Sequence, residues 1–291
     1  MPKFSNFSGN IPNISRSEIT IAYGGADGGD GNGVGGVIWN SSTYKFAGAL
    51  SVSASENTPV GLWFRPDGTR MYYVGTGSDI IREHTLSRPW DILSAGAVTS
   101  SPVLTGNITG IAFDDTNGDK VLAVDNGTNI IYKYSLATPW NITTLNATPV
   151  QTNSAIFTSN QLPSSVWARS DGTLLMLGNT GTTAAYRTAT MSTAWDLTTL
   201  TASATIPVSG SVGAVFADNG NRFSILTLSG GITNYIASSA YSITGPTVIQ
   251  GTSSIGRWSN LSGNGDIYWK NDGSAFYVIN SADDAIYQYT L

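Results

Sequence analysis

The stretch that decides the fold is residues 60–93, VGLWFRPDGTRMYYVGTGSDIIREHTLSRPWDIL. A short apolar strand at 61–64 is followed by a turn at Asp67 and Gly68 and by a second strand at 70–74. Asp tolerates such a tight turn, and Gly supplies the positive φ that the connection needs. A Gly/Thr-rich loop, an alternating third strand and a Trp-Asp corner complete the segment. The order of these parts is typical of an antiparallel strand meander.

The same pattern recurs four more times along the chain. Each later copy keeps its turn dipeptide, at Asn117-Gly118, Asp171-Gly172, Asn219-Gly220 and Asp272-Gly273. The residue near the end of the first strand gives the spacing of the copies. These residues are Phe64, Phe113, Ala168, Phe216 and Trp269, which lie 49, 55, 48 and 53 residues apart. A period of about 50 residues predicts one four-stranded propeller blade for each repeat.

The last copy has room for only three strands before the chain ends at Leu291. Residues 45–54, KFAGALSVSA, form a strand-like segment that precedes the first copy. We therefore predict an all-β fold over residues 41–291, a five-bladed β-propeller whose N-terminal strand completes the last blade. Such closure removes the unpaired sheet edges that would otherwise promote aggregation.

Composition excludes several other classes of protein. Charged residues make up 11% of the 291 residues, against about 25% in ordinary soluble domains, and Glu is too rare for a helical bundle. No apolar run approaches the roughly 18 residues of a membrane-spanning helix. A net charge of −5 with a pI near 4.7 argues against nucleic-acid or anionic-lipid partners. The absence of cysteine excludes thiol catalysis and cysteine metal sites.

Residues 1–40 lie outside the repeat and include a Gly-rich segment at 24–36, GGADGGDGNGVGG. Such a segment buries too little surface to order itself, so we expect it to be held by something else. The start, MPKFSNFSGN, lacks the features of a secretory signal peptide. We interpret residues 1–40 as an N-terminal docking arm. A homo-oligomer stays open, since no heptad pattern requires one.

The single histidine, His84, is the first candidate for catalysis. When the copies are aligned on their Trp or Tyr corners, His84 falls level with Tyr134, Ala189, Tyr235 and Tyr289. A position that accepts Tyr and Ala is a packing position, and no Ser/Asp partner set accompanies it. Trp90, Trp140 and Trp195 could stack on sugars, but their repeated place at each corner favours blade packing.

Acidic residues offer few further candidates. Asp114, Asp115 and Asp119 crowd one turn with Asn117, and oxygen ligands at short spacing can suit Ca²⁺. The spacing does not match an EF-hand loop, so we predict no metal site, although calcium there stays open. Among the inner strands, Asp218 and Asp266 occur only at the margins, and no acid–base pair converges. We therefore predict no catalytic residue, no cofactor and no enzymatic activity.

The copies differ in length mainly after their corners. The longer connections are residues 151–163 and 250–265, which carry Phe157, Arg257 and Trp258. Insertions that the scaffold does not need are common places for function. An aromatic ring with an arginine suits sugar stacking and hydrogen bonding, so these three residues are our candidate ligand-binding set. The alternative is that they cover an exposed blade edge.

Residues 61–92, GLWFRPDGTRMYYVGTGSDIIREHTLSRPWDI, and 110–142, GIAFDDTNGDKVLAVDNGTNIIYKYSLATPWNI, carry a family resemblance. Their F-x-P-D-G turn and L-S-x-P-W-D corner resemble the repeats of YVTN-like β-propeller proteins, which are common in tail-fibre and other virion proteins of marine bacteriophages. The resemblance covers about residues 45–291 and is strongest in the first two copies. Residues 1–40 have no counterpart in it.

The resemblance implies a non-enzymatic virion structural protein, assembled in the host cytoplasm and exposed on the virion surface. The role expected first is a tail fibre or receptor-binding protein that attaches the particle to a host surface glycan. Residues 1–40 would then contact other virion proteins. A head fibre or capsid decoration protein is the alternative in the same setting. A polysaccharide hydrolase, lyase or lactonase is the alternative of another class and would need a channel cluster around Asp114, Asp218 or Asp266. A cellular surface adhesin is less favoured, because no signal peptide is evident.

Overall fold

The computed structural model describes residues 41–157, 161–180, 185–208, 211–228, 231–254 and 265–291. Over these residues the chain forms five antiparallel sheets of four strands each. Strand β1 (Lys45–Ser51) comes first in the chain and belongs to the last sheet.

The other strands follow in chain order, four to a sheet until the last. Blade 1 contains β2 (Pro59–Phe64), β3 (Arg70–Gly75), β4 (Ile80–Leu86) and β5 (Ala95–Val103). Blade 2 contains β6 (Ile108–Phe113), β7 (Lys120–Asp125), β8 (Ile130–Ser135) and the short β9 (Gln151–Asn153). Blade 3 contains β10 (Pro163–Ala168), β11 (Leu174–Asn179), β12 (Ala185–Met191) and β13 (Leu200–Pro207). Blade 4 contains β14 (Ser211–Ala217), β15 (Arg222–Thr227), β16 (Gly231–Ile236) and β17 (Thr247–Ser254). Blade 5 contains β18 (Gly265–Trp269), β19 (Ala275–Asn280) and β20 (Ala285–Thr290).

The innermost strands of the five sheets form a closed ring. Strand β2 contacts β6, β6 contacts β10, β10 contacts β14, β14 contacts β18, and β18 contacts β2. Strand β1 pairs with β20 from Lys45 opposite Thr290 to Ser51 opposite Ala285, which makes it the fourth strand of blade 5. The prediction of a five-bladed propeller closed by its N-terminal strand is therefore confirmed.

Small residues let the inner strands approach closely around the axis. A Cβ on Gly61 would lie 2.9 Å from the Cα of Gly110, and a Cβ on Gly110 would lie 2.9 Å from the Cα of Ser165. In the same way, a Cβ on Gly213 would lie 2.8 Å from the Cα of Asp266. These residues occupy one register position in the five inner strands. Only Asp266 brings a carboxyl group to it.

In blades 1 to 4 one end of the blade, which we call the turn end, repeats the same arrangement. Four corner aromatics, Trp90, Trp140, Trp195 and Tyr241, adopt positive φ between 59° and 67°. The backbone N–H of each donates to the carbonyl of a turn glycine in its own blade, with N···O distances of 2.8 to 2.9 Å. Its ring covers that glycine, so a side chain there would collide with it; the glycines are Gly68, Gly118, Gly172 and Gly220.

Five short 3-10 segments occur among the described residues, and polar caps are found at those that finish a blade corner. Three of them, Ile92–Ser94, Ile142–Thr144 and Leu197–Thr199, are capped by Asp91, Asn141 and Asp196. A fourth, Ser41–Thr43, stands before β1. The fifth, Asp218–Gly220, forms the first turn of blade 4.

The corner tryptophans also join neighbouring blades. The carbonyl of Trp140 in blade 2 accepts two hydrogen bonds from blade 1, one from Arg70 Nη1 and one from Tyr72 Oη, each 3.1 Å long. The Arg65 guanidinium lies 5.1 Å from the Trp140 ring centroid. Blade packing is therefore the observed role of these residues, as their repetition indicated.

His84 has the packing position that the sequence alignment indicated. It pairs with Met71 in the same register in which Tyr134 pairs with Val121 and Tyr289 with Phe276. Its ring stacks on Tyr73 at 5.7 Å, and its Nδ1 lies 2.7 Å from the carbonyl of Gly96. Among the parts of the chain that the structure describes, no helix is long and apolar enough to cross a membrane.

Candidate functional site

A cavity opens at the turn end, where the inner strands finish. Trp63, Trp167, Val215 and Tyr268 occupy one register position in four of the inner strands and line the cavity together. Its volume is about 210 Å³. Blade 2 has only Ala112 at that position. We call this cavity the channel-mouth pocket.

Aromatic rings form much of the wall of the channel-mouth pocket. The Trp63 ring stacks on the rings of Phe113 and Trp140, with centroid distances of 4.7 and 5.7 Å. Trp167 is half-buried and stacks on Tyr241 at 6.0 Å with an interplanar angle of 26°. Rings fixed by such stacking present rigid apolar surface to a ligand at little cost in side-chain entropy.

Polar groups enter the channel-mouth pocket from the turns between first and second strands. Asp115, Ser170, Asp218 and Asn271 line it from four different blades. The two cations of its rim have partners inside their own turns. Arg169 lies 2.8 Å from Asp171, and Lys270 lies 2.8 Å from Asp272. The Arg169 guanidinium also lies 5.1 Å from the Tyr241 ring centroid, so both an ion pair and a ring contact hold it in position.

Asp114 is a structural member of its turn. Its carboxylate accepts hydrogen bonds from the backbone N–H groups of Thr116 and Asn117 at 3.0 and 3.1 Å. It also accepts from Asn117 Nδ2 at 3.1 Å and from Lys120 Nζ at 2.8 Å. Burial alone would raise the pKa of Asp114, but these donors outweigh it and lower the pKa below its usual value. Asp114 therefore stays ionised and fixes the turn.

Asp115, the next residue, is in the opposite situation. Within the described residues it has no hydrogen-bond donor and no cation at bonding distance. Burial raises the pKa of its carboxyl to about 7, and the charge of Asp114 adds to the effect. Burial, with a smaller effect of the Asp115 charge, also raises the pKa of Tyr268. A carboxyl that titrates near neutrality in a cleft is a common mark of a functional site.

The remaining channel carboxylates do not join Asp115 in a cluster. Asp218 lies 3.5 Å from Arg222 Nε. Asp266 is buried farther inside, where its carboxyl accepts from Leu62 N at 3.4 Å and from Ile267 N at 2.9 Å. Burial raises the pKa of Asp266 well above its usual value. Asp266 and Asp114 are not among the residues that line the channel-mouth pocket, so of the three acids named as possible centres for the hydrolase alternative only Asp218 lines it.

Two carboxylates of the acidic turn of blade 2 bind a lysine side chain. Lys120 Nζ lies between Asp114, at 2.8 Å, and Asp119, at 2.6 Å, while Asp115 lines the pocket. Over the described ranges, no group of three or more Asp, Glu or His side chains is placed to hold a metal ion.

The sequence-based ligand set is only partly covered by the structure. Phe157 is buried, with 5% of its surface exposed, and packs against the Arg187 guanidinium at 5.6 Å. Arg257 and Trp258 lie outside the described residues, as do residues 1–40. A binding role for Phe157, Arg257 and Trp258, and a docking role for residues 1–40, stay predictions.

Sequence reasoning missed the channel-mouth pocket and the place of Asp115 in it. A signal for it existed, because six residues separate Phe113 from Lys120 whereas five separate Phe64 from Arg70. The turn of blade 2 is thus the one first turn with an added residue. Its acidic composition directed attention to calcium instead of to the channel.

Comparison with known proteins identifies no family for the chain. No protein-family model and no curated protein matches it. Solved structures that resemble it include a protein of unknown function from Desulfotomaculum acetoxidans, with 14% identity and a TM-score of 0.44. Two others are candidate 6-phosphogluconolactonases from Bacteroides fragilis and Bacteroides uniformis, with 16% and 18% identity and TM-scores of 0.46. The matches cover 76% of this chain but only 62%, 64% and 63% of those chains. The chain therefore spans less than two thirds of their length, and at this similarity they say nothing about its activity.

Proposed function

We propose that the protein is a non-enzymatic carbohydrate-binding propeller that takes the end of a surface glycan in the channel-mouth pocket. The observation that carries the proposal is the pairing of Trp167 and Tyr268 with the polar groups of Asp115, Ser170 and Asn271 in one cavity. Sugars offer both apolar ring faces and hydroxyl groups, so a site for them needs aromatic faces beside hydrogen-bonding side chains.

The size of the pocket supports a small ligand group. At about 210 Å³ it is smaller than the roughly 300–1,000 Å³ of usual small-molecule sites. One terminal sugar residue suits this space better than an internal stretch of polymer. Asp115 offers acceptor oxygens that no other described group uses, so sugar hydroxyls are natural donors to it.

The wider setting of the proposal is the virion. The repeat phrases around Asp67-Gly68 and Trp90 resemble those of phage surface propellers, which supports a tail-fibre or receptor-binding role with residues 1–40 attaching the propeller to other virion proteins. Immunogold labelling of the source particle tests this setting. Label at the tail supports host attachment, label over the head supports a decoration protein, and absence of label contradicts a virion role.

The binding proposal is tested with full-length protein on a glycan array, followed by titration of the best ligand. Trp167→Ala removes a pocket ring and is expected to weaken binding by about ten-fold, the scale of one lost aromatic contact. Phe46→Ala is the matched control, because Phe46 is 40% exposed on outer strand β1 and does not line the pocket. Equal binding by wild type and Trp167→Ala contradicts the assignment. Loss of binding in an Arg257→Ala/Trp258→Ala variant alone would move the site to that connection.

A hydrolase or lactonase acting at the same pocket is the second candidate. It is favoured by one observation, the pKa of about 7 at Asp115, which suits a general base near neutral pH. Incubation with polysaccharides and sugar lactones, with product detection by chromatography, separates the two functions. Turnover that disappears in Asp115→Asn would establish catalysis and displace the binding proposal.

A further inference from the structure

The charged side chains that line the channel-mouth pocket are not balanced. There are four of them, Asp115, Arg169, Asp218 and Lys270. Three have an oppositely charged partner that does not line the pocket; the pairs are Arg169–Asp171, Asp218–Arg222 and Lys270–Asp272, with N···O distances of 2.8, 3.5 and 2.8 Å. Asp115 has no cation at bonding distance within the described ranges. The ionised pocket therefore carries one uncompensated negative charge, which favours a cationic ligand group over an anionic one.

Asp115 lies beside the aromatic part of the pocket wall. The next residue, Thr116, donates its hydroxyl to the carbonyl of Ser170 at 3.2 Å, so the turn of blade 2 contacts blade 3. Burial and, to a smaller extent, the charge of Asp115 raise the pKa of Tyr268, which indicates that the carboxyl is also close to blade 5. Tyr268 Oη donates to the carbonyl of Phe64 at 3.1 Å. The hydrogen of that hydroxyl is therefore used elsewhere, and a ligand can be the donor to Asp115.

The rings of the pocket add a second attraction for a cation. Trp63 and Tyr268 lie nearly perpendicular, with centroids 6.4 Å apart, and Trp167 stands half-buried on the blade 3 side. The face of an aromatic ring attracts a cation within about 6 Å of its centroid. Arg169 already uses the Tyr241 ring in this way, at 5.1 Å. Aromatic walls together with an unpaired carboxylate are typical of a site for an ammonium group.

The polar lining distinguishes a primary ammonium group from a quaternary one. Ser170, Asn219 and Asn271 line the pocket with Asp115, and each can accept a hydrogen bond. A primary ammonium group has three N–H donors for such acceptors, whereas a quaternary one has none. A hydrogen bond between two charged groups is about twice as strong as one between neutral groups. An amine therefore gains more beside Asp115 than a hydroxyl group at the same place.

We propose that the channel-mouth pocket takes the ammonium group of an amino sugar whose amine is not acetylated, with Asp115 as its counter-ion and Trp167 and Tyr268 as aromatic walls. This inference rests on the proposed function, because it names the class of sugar that the same site prefers. Burial raises the pKa of Asp115 to about 7, so a cation bound beside it stabilises the ionised form. The added residue in the turn of blade 2 is then a specificity-determining residue.

Isothermal titration calorimetry of the full-length protein tests the inference near pH 7 and at constant ionic strength. The probes are glucosamine hydrochloride, N-acetylglucosamine and glucose, which share one ring and differ at one carbon. We expect glucosamine to bind the wild type at least about ten-fold more tightly than the other two, the scale of one charge-assisted hydrogen bond. In Asp115→Asn this preference falls to about two-fold or less, while N-acetylglucosamine binds as before, because the amide keeps an acceptor oxygen without the charge.

Asp119→Asn is the matched control, because Asp119 belongs to the same turn, is paired with Lys120 at 2.6 Å and does not line the pocket. It should keep the full preference for glucosamine. A preference that persists in Asp115→Asn overturns the inference, since another group then recognises the amine. Choline chloride has no N–H group, and its binding with the affinity of glucosamine overturns the assignment to a primary amine.

The outcomes for this inference and for the proposed function differ. If glucosamine does not bind, or binds no better than N-acetylglucosamine, the inference is overturned. Sugar binding at the pocket then still stands when neutral glycans bind the wild type and lose affinity in Trp167→Ala. Absence of binding by every sugar overturns both.

Discussion

The corner of blade 2 and the cavity rim of the same blade are both built on a short polar side chain. At the corner, Asn141 accepts hydrogen bonds from the backbone and the hydroxyl of Thr143 and caps a 3-10 segment. At the rim, Asp115 has no such donor, and its burial raises its pKa to about 7. The corner is repeated in other blades, with Asp91 and Asp196 as caps, whereas Asp115 stands on an added residue.

The difference shows that the repeated corners stabilise the folded state, whereas the cavity rim lowers its stability. Repeated positions have their polar groups satisfied and their rings packed, as Trp140 is against Gly118. Asp115, which stands on the added residue of blade 2, carries a half-buried carboxyl group without a partner among the described residues. Unpaired charge lowers stability, so a charged group without a partner at the rim of a cavity supports the proposed ligand.

Replacement of a corner glycine should give the largest effect. Gly118 has φ of +68°, and a methyl group there would fall within the Trp140 ring. We expect Gly118→Ala to lower the free energy of unfolding by more than about 3 kcal/mol, from the left-handed backbone and the displaced ring together. Urea unfolding followed by tryptophan fluorescence measures it.

Gly245→Ala is the control for Gly118→Ala, because Gly245 has φ of +57° but no atom within 4 Å of the added carbon. It carries the backbone penalty alone, about 1 kcal/mol. Equal losses in the two variants would mean that the corner ring contributes nothing to the arrangement at the turn end, and the contrast between corner and cavity would fail.

Removal of the charge at the cavity rim should have the opposite sign. A carboxyl whose pKa is raised from 3.8 to about 7 binds its proton more tightly in the folded state than in the unfolded state. Its contribution to stability is therefore greatest below about pH 4, falls as the pH rises to about 7, and stays low above that. Asp115→Asn should raise the free energy of unfolding by on the order of 2 kcal/mol at pH 8 and leave it unchanged at pH 4.

Unfolding of wild type and Asp115→Asn in urea at the two pH values measures this difference. Asp119→Asn is the control, since Asp119 is paired with Lys120 at 2.6 Å and should not become more stable at pH 8. A loss of stability in Asp115→Asn at pH 8 would show that Asp115 supports the fold instead of a ligand.

The sequence was sufficient for the architecture because turns and corners recur. The Asp-Gly turns and the strand-like segment at 45–54 predicted five blades and their closure, and the alignment of His84 with Tyr134 matches the strand register.

The candidate sites could not be predicted in the same way, because they depend on neighbours from different blades. Trp167 and Tyr268 belong to inner strands about 100 residues apart in sequence, and only closure of the ring brings them to one cavity. Repetition identifies a scaffold, while a site needs side chains from different blades to meet in three dimensions.

Loss of a corner cap should have the smallest effect. Asn141→Ala removes the acceptor of the Thr143 N–H at 3.2 Å and of the Thr143 hydroxyl at 2.7 Å. We expect it to lower the free energy of unfolding by about 1 kcal/mol, the usual value of an N-cap. Asn141→Asp should be neutral, because Asp91 and Asp196 perform the same capping in neighbouring blades. Urea midpoints for the two variants provide the measurement. Equal destabilisation by Asp and Ala would mean that the amide group, rather than the capping oxygen, matters at this corner, and the repeated corners would then not be equivalent in their energetics.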